Sequence, residues 1–285
     1  RGDVMHDSLI LKLRSYYPSL TKTEKKIADV VFEKGNEIIF NTITEFAEYC
    51  EVSETSIVRL CRKLGLSGYQ EFKLNLAKDV VVPEENLYQT TSADDSLAAI
   101  SRRVTEQNIQ AINNTMRVIS LEELEKAIEA IINARNIEVY GVGASAYTAL
   151  DVMYKFKRIG LQVNVNMDPH IQAMSASLLD KKDVVLAISF SGSTRDTVNT
   201  VEVAKKAGAT VICITNHSKS PIAKLADIVL LSSVRETPLQ SGALSSKIAH
   251  LHIIDLLYTG ITLRIKEKAM ENIKKTAEAV LEKLY

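Results

Sequence analysis

The sequence predicts an all-α helix-turn-helix domain followed by an α/β domain with a doubly wound, five-stranded parallel sheet. In the first 80 residues, apolar side chains recur at i, i+3, i+4 and i+7, which is typical of short amphipathic helices. After residue 120, short apolar runs with strand character alternate with helical patterns, as in βαβ units. We therefore expect a helical domain at 1–80, a linker and connecting helix at 81–120, and an α/β domain at 121–285.

Composition restricts the possible function classes. The 285 residues carry 35 basic and 35 acidic side chains, so any nucleic-acid binding must come from a local patch rather than from net charge. The three cysteines lack metal-ligand spacing and fit a reducing cytoplasm better than a disulfide framework. No apolar stretch of about 18 residues and no signal-peptide pattern occurs, so we expect neither a membrane span nor export.

Two short helical patterns joined by a tight turn lie at 43–50 and 57–64, which is the arrangement of a helix-turn-helix. If the apolar residues of the second helix face inward, its outer face carries side chains that contact phosphates and base edges. These side chains are Ser53 as N-cap, Thr55, Ser56, Arg59, Arg62 and Lys63. Residues 54–78 contain five basic and two acidic residues, a local excess of three. A solvated helix face would show a similar surplus, but spacing, cap and charge together favour DNA binding.

The segment VSETSIVRLCRKLGLSGYQEFK resembles the N-terminal helix-turn-helix domain of RpiR-type bacterial transcription regulators, over roughly residues 5–80. The resemblance implies that Arg59 to Lys63 lie on the recognition helix. One position departs from the pattern, because Glu51 stands at a turn position that is often glycine, where a positive φ is needed.

A linker is predicted over 79–95, where proline, acids and small polar residues replace the apolar pattern. The next helix has an apolar stripe from Leu97 to Met116, which packs either on its own domain or on a second subunit. The chain closes with a further amphipathic helix, predicted over 266–285.

Two polar loops follow strand candidates in the predicted sheet. The five strand candidates are 137–140, 162–165, 183–189, 210–215 and 228–232. The loops are GVGASA at 141–146 and SFSGST at 189–194. Ligands of doubly wound sheets bind at the carboxyl ends of the strands, so we expect the two loops to meet at one site. An N-cap needs one hydroxyl, whereas the second loop offers four at a helix start, which favours a phosphate ligand.

The first loop also matches the G-x-G-x-x-A pattern of dinucleotide-binding folds, with Asp168 as a candidate ribose ligand. A single glycine fingerprint is a weak signal, and a dinucleotide fold does not require the second, hydroxyl-rich loop. We therefore favour a phosphate ligand over NAD and predict no cofactor and no metal.

Together, GVGAS at 141–145 and SFSGST at 189–194 resemble the sugar isomerase (SIS) domain, a phosphosugar-binding fold, over about residues 121–265. The resemblance implies a set of residues around the phosphate and neighbouring hydroxyls of a phosphosugar: Gly143, Ser145, Ser189, Ser191, Gly192, Ser193 and Thr194. It also implies that Glu236 faces the sugar, although a loop carboxylate in solvent would fit equally. Ser245, Ser246 and Lys247 are further candidate donors.

The combined pattern predicts a phosphosugar-responsive transcription regulator of sugar or amino-sugar genes, a repressor by family-level expectation. Its partners would be operator DNA and a phosphorylated sugar, and two half-sites would require a homodimer or a dimer of dimers. The alternative is a phosphosugar isomerase or lyase with Glu236 as its base. A DNA-binding domain favours the regulator over the enzyme. An architectural nucleic-acid protein fits poorly with zero net charge.

Overall fold

The computed structural model describes residues 8–80, 96–236, 243–281 and 283. Among these residues the chain forms two compact units. The first comprises the described residues up to Thr105 together with Arg235, Glu236 and Ala243. The second comprises Glu106–Val234 and the described residues from Leu244 onward.

The described residues 8–80 of the first unit form five α-helices. They are α1 (Leu9–Tyr16), followed by a 3-10 turn (Tyr17–Ser19), α2 (Lys22–Ile38), α3 (Ile43–Tyr49), α4 (Glu54–Lys63) and α5 (Tyr69–Val80). Helix α2 begins with a capping box, in which the side chains of Thr21 and Glu24 each accept from the other residue's backbone amide. The inward face predicted for α4 is confirmed, with Ile57, Leu60 and Cys61 buried in the domain core.

The turn between α3 and α4 keeps a positive φ at the position where glycine is often found, although Glu51 occupies it. Glu51 has a φ of 54°, in the left-handed region that costs a residue with a Cβ atom about 1 kcal/mol. The ion pair of Glu51 with Lys26 is exposed on both sides and offsets little of this cost.

The second unit is built on a five-stranded sheet in which all strands are parallel. The strands are β1 (Ile137–Tyr140), β2 (Val163–Val165), β3 (Val184–Ile188), β4 (Thr210–Thr215) and β5 (Ile228–Leu231). Their order is β2-β1-β3-β4-β5, so the predicted doubly wound fold is confirmed. Strands β2, β3 and β5 are one or two residues shorter than predicted.

Helices cover both faces of the sheet. The remaining helices are α6 (Leu97–Val118), α7 (Leu121–Asn133), α8 (Ala144–Arg158), α9 (Pro169–Ser177), α10 (Arg195–Ala207), α11 (Pro221–Leu225), α12 (Leu244–Arg264) and α13 (Lys266–Leu281). One face of the sheet packs against α7, α8 and α12, and the other packs against α9, α10 and α11. Because strand side chains alternate between faces, Leu186 enters the first core and Ala187 the second.

All three cysteines are free and buried, and burial raises the pKa of each thiol to about 12. Within the part of the chain that the structure describes, no single helix is long and apolar enough to cross a membrane. The adjoining α12 and α13 pass that test only when joined across a bend of 111°. The described residues also contain no group of three His, Cys, Asp or Glu side chains arranged to hold a metal ion.

Candidate functional site

The two polar loops leave neighbouring strands at the same edge of the sheet. Strands β1 and β3 pair in parallel, with Tyr140 opposite Ala187, and each loop starts within two residues of these positions. The strand order reverses between β1 and β3, which makes this edge the topological switch point where doubly wound sheets bind ligands. The predicted meeting of the loops at one edge therefore follows from the topology.

The first loop needs its glycines for close approach and for backbone conformation. A Cβ atom on Gly141 would lie 2.9 Å from the backbone carbonyl carbon of Ser145, so a side chain there would prevent the tight turn. Gly143 has a φ of 61° and precedes α8 without offering any side-chain cap. Ser145, half-buried in the first turn of α8, thus lies beside uncapped amide groups.

The second loop brings four hydroxyl groups to the start of α10. The Oγ atom of Ser189, a buried residue, lies 3.2 Å from Oγ1 of Thr194. The backbone amide of Ser193 donates to Oγ of Ser191 at 3.3 Å, and the Ser193 hydroxyl donates to the Ser191 carbonyl at 3.2 Å. Thr194 precedes α10, yet its hydroxyl makes no capping bond.

Gly192 is the sterically tightest position of the second loop. Its φ is 61°, and a Cβ atom there would lie 2.1 Å from Oγ of Ser220 and 2.8 Å from Oγ1 of Thr215. The backbone amide of Ile222 donates to the Gly192 carbonyl at 3.0 Å. Residues at the end of β4 and the start of α11 therefore pack closely against the loop, and only glycine fits at position 192.

This edge of the sheet is suited to an anion. The N-termini of α8 and α10 both start there without side-chain caps, so orphan amides and helix dipoles favour negative charge. A cation lies near α8, because Nζ of Lys247 on α12 is 5.7 Å from the centroid of the Tyr147 ring. The sequence predicted Lys247 only as a candidate donor. Its position beside α8 could not be predicted, because it depends on the packing of α12 against α8.

Several other predicted residues lie elsewhere or have other partners. Asp168, the candidate ribose ligand of the NAD alternative, caps α9 by accepting from the amides of His170 and Ile171. Glu236 is half-buried and groups with the first unit rather than with the sheet. The Ser245 hydroxyl donates to Oδ1 of Asn108 on α6.

The outer face of α4 forms a second candidate site. Thr55, Arg59 and Arg62 are exposed on it, and Ser56 is half-buried. Ser53 caps the helix by accepting from the Ser56 amide, as predicted. Hydroxyls at the helix N-terminus and two arginines on one face are the groups that bind DNA phosphates and base edges.

Lys63 has a different environment from the two arginines. Its Nζ atom lies 2.8 Å from Oε2 of Glu24 and 3.2 Å from the carbonyl oxygen of Ser19. Glu24 is nearly buried; burial raises its pKa, but hydrogen bonds from Lys63 and Thr21 outweigh burial and leave the pKa below its ordinary value. Lys63 thus ties the C-terminal end of α4 to the start of α2, a contact across 39 residues that no sequence pattern signals.

Two parts of the chain match the models of known protein families. Residues 8–82 match the model of the helix-turn-helix domain of the rpiR family, and residues 130–260 match that of the SIS domain. The HTH-type transcriptional regulator RpiR of Escherichia coli is 34% identical over 268 residues, which is 94% of this chain and 90% of that protein. The chain belongs to the RpiR family of DNA-binding transcription regulators.

The likeness of this RpiR-type regulator to its relatives extends over nearly the whole chain. An HTH-type regulator of Caldanaerobacter subterraneus is 37% identical over 268 residues, covering 94% of this chain and 95% of the relative. Among solved structures, Vibrio vulnificus NanR complexed with ManNAc-6P is 30% identical with a TM-score of 0.87, covering 98% of this chain and 100% of NanR.

Proposed function

We propose that this regulator binds a phosphorylated sugar at the β1 and β3 loops, and that the ligand changes its affinity for operator DNA. The carrying observation is the pair of uncapped helix N-termini, α8 and α10, beside a loop of four hydroxyls. In the proposed complex the phosphate accepts from amides of both helices and from Ser145, Ser191, Ser193 and Thr194, with Ser189 beneath them.

Amino-sugar phosphates are the proposed ligand class. The 30% identical NanR structure contains ManNAc-6P, which is a phosphorylated amino sugar. Lys247 supports a phosphorylated ligand in general, because its ammonium group lies over the Tyr147 ring in the first turn of α8 and would favour negative charge nearby. We propose no catalytic residue and no cofactor.

Operator DNA is the second proposed partner. Arg59 and Arg62 on α4 would contact phosphates or base edges, with Ser53, Thr55 and Ser56 at the helix N-terminus. Two half-sites require two recognition helices, so the working form is a homodimer or a dimer of dimers in the cytoplasm. We propose that the protein represses sugar or amino-sugar genes.

A thermal-shift screen tests the ligand site directly. The purified protein is heated with hexose, pentose and amino-sugar phosphates, ManNAc-6P among them, and each hit is repeated with its unphosphorylated sugar. A ligand at about 100 times its Kd stabilises the fold by about 2.7 kcal/mol, which raises the melting temperature measurably. The shift should vanish without the phosphate and weaken in Ser191→Ala. A shift with NAD, but with no sugar phosphate, would refute the proposal.

The enzymatic alternative makes a separate prediction. An isomerase or lyase would need Glu236 as its base, so Glu236→Gln would abolish turnover of the sugar phosphate. For a regulator, the same substitution changes at most the ligand affinity. Incubation of the wild-type protein with each ligand hit, followed by chromatography of the sugar phosphates, distinguishes the two functions.

A further inference from the structure

Phe190 is the one apolar side chain within the hydroxyl-rich loop SFSGST. It does not lie free on the surface, because it packs against the buried residues Ala111, Val234 and Ala249. Ala111 belongs to α6 and Ala249 to α12, so the Phe190 ring connects the proposed phosphate loop to two helices.

The position of Phe190 is fixed through both its backbone and its ring. Its carbonyl oxygen accepts from the Asn216 amide at 3.0 Å and from Oγ1 of Thr215 at 3.2 Å. Its ring centroid lies 6.2 Å from those of both His217 and His250. Burial lowers the pKa of His250 to about 4, so this imidazole is neutral near neutral pH and part of an uncharged packing surface. A shift of the loop backbone must therefore move the ring, and the ring cannot move without disturbing its neighbours.

The half of α6 that meets Phe190 is attached to the sheet domain at two other places. Oδ1 of Asn108 accepts from the Ser245 hydroxyl at 3.2 Å, and Oγ1 of Thr115 accepts from the Ser233 amide at 3.2 Å. Ala111 lies about one helical turn from both Asn108 and Thr115, on the same face of α6. Ala111 and Thr115 are the two residues of α6 that are buried, and both lie in this half of the helix.

We propose that Phe190 couples the phosphosugar site to α6, the helix through which the chain continues from the linker into the sheet domain. This inference rests on the function proposed above. Phosphate binding fixes the backbone of 189–194 and thereby the Phe190 ring, which favours one placement of α6 over another. The ligand regulates only as far as its affinity differs between those placements, so loss of the ring removes the link without removing the ligand site.

The experiment compares full-length wild type, Phe190→Ala and Phe190→Leu. Ligand Kd is measured by calorimetry with ManNAc-6P or the best hit of the screen. Operator Kd is measured with and without that ligand, on a duplex selected from a random pool by the wild-type protein. The control is Val198→Ala on α10, next to the loop in sequence, whose side chain packs in the core on the other face of the sheet.

For wild type and Val198→Ala, ligand should change the operator Kd by about 5- to 150-fold, the usual range of coupling between sites. For Phe190→Ala, ligand Kd should stay within a few-fold of wild type while the change in operator Kd falls below about 2-fold. Phe190→Leu fills most of the space and should retain part of the coupling, which keeps the test valid if the alanine variant folds poorly.

Full coupling in Phe190→Ala, with ligand and operator both bound, would overturn this inference alone. Equal loss of coupling in Val198→Ala would also overturn it, because the effect would then be unspecific. If the wild-type protein bound no sugar phosphate at all, the proposed function itself would fail, and this inference with it.

Discussion

The ion pair between Lys63 and Glu24 predicts that Lys63 has a different role from the neighbouring arginines on α4. In Lys63→Gln, Glu24 would keep its charge with only 10% of its side chain exposed, and would lose a partner at 2.8 Å. A buried group left without its partner costs about 1–3 kcal/mol. Lys63 itself is one-third exposed, so solvent screening reduces the expected loss to about 1–2 kcal/mol.

Two measurements separate the structural role of Lys63 from DNA contact. The melting temperature of Lys63→Gln should fall by about 2–8 °C for each kcal/mol lost, depending on the size of the unit that unfolds. The slope of log Kobs for DNA against log salt concentration should stay at the wild-type value, since a lysine already neutralised by Glu24 releases no counterion. Arg59→Gln and Arg62→Gln should each reduce that slope by about 0.9 and leave the melting temperature nearly unchanged.

The double variant Glu24→Gln/Lys63→Gln provides the control. If the two side chains stabilise the domain through each other, the double variant should lose less unfolding free energy than the two single variants lose together. A Lys63→Gln protein with unchanged melting temperature and a slope reduced by about 0.9 would show that Lys63 leaves Glu24 to bind phosphate, and the reasoning would be refuted.

Three further predictions follow from local geometry and charge. Glu51→Gly should raise the melting temperature, because glycine relieves the strain at φ 54° and the lost pair with Lys26 is exposed; an unchanged or lower value would contradict this. Gly143 and Gly192 both have a φ of 61°, but only at Gly192 would a Cβ atom meet other atoms. Gly192→Ala should therefore lower the free energy of unfolding by about 1–3 kcal/mol more than Gly143→Ala, and it should abolish sugar-phosphate binding in calorimetry. Burial raises the pKa of Asp183, but hydrogen bonds from Arg135 and the Asp180 amide outweigh it, so the pKa is lowered. The stabilisation by Asp183 is therefore present above the unfolded-state pKa and is lost as the pH falls through the folded-state pKa. Urea denaturation should show a smaller decrease in the free energy of unfolding between neutral and acid pH for Arg135→Gln than for wild type.

Local patterns were sufficient to predict most of the fold. The i, i+3, i+4 spacing of Ile57, Leu60 and Cys61 determines which face of α4 is buried, because helix periodicity is a property of neighbouring residues. The continuous apolar run of β3 likewise predicts a strand covered on both faces, as observed. The meeting of the β1 and β3 loops followed from the rule for parallel sheets rather than from any one residue.

The details that local patterns could not predict depend on contacts between distant segments. Ser220 packs against Gly192, 28 residues earlier in the chain, and no sequence motif predicts this contact. The sequence did not distinguish Lys63 from Arg59 and Arg62, because its ion-pair partner, Glu24, lies on another helix. Glu236 could not be placed from the resemblance alone, because the position of a loop carboxylate depends on packing that periodicity does not encode. The proposed ligand and DNA contacts themselves stay predictions.

The buried thiols make the regulator convenient to label at chosen sites. A maleimide reacts with thiolate, and Cys50, Cys61 and Cys213 are covered and carry pKa values of about 12, so very little of each is thiolate at neutral pH. A cysteine introduced at exposed Thr55 would react far faster than the native three. In the proposed dimer, fluorophores can then report the distance between the two α4 helices, with the native cysteines left in place.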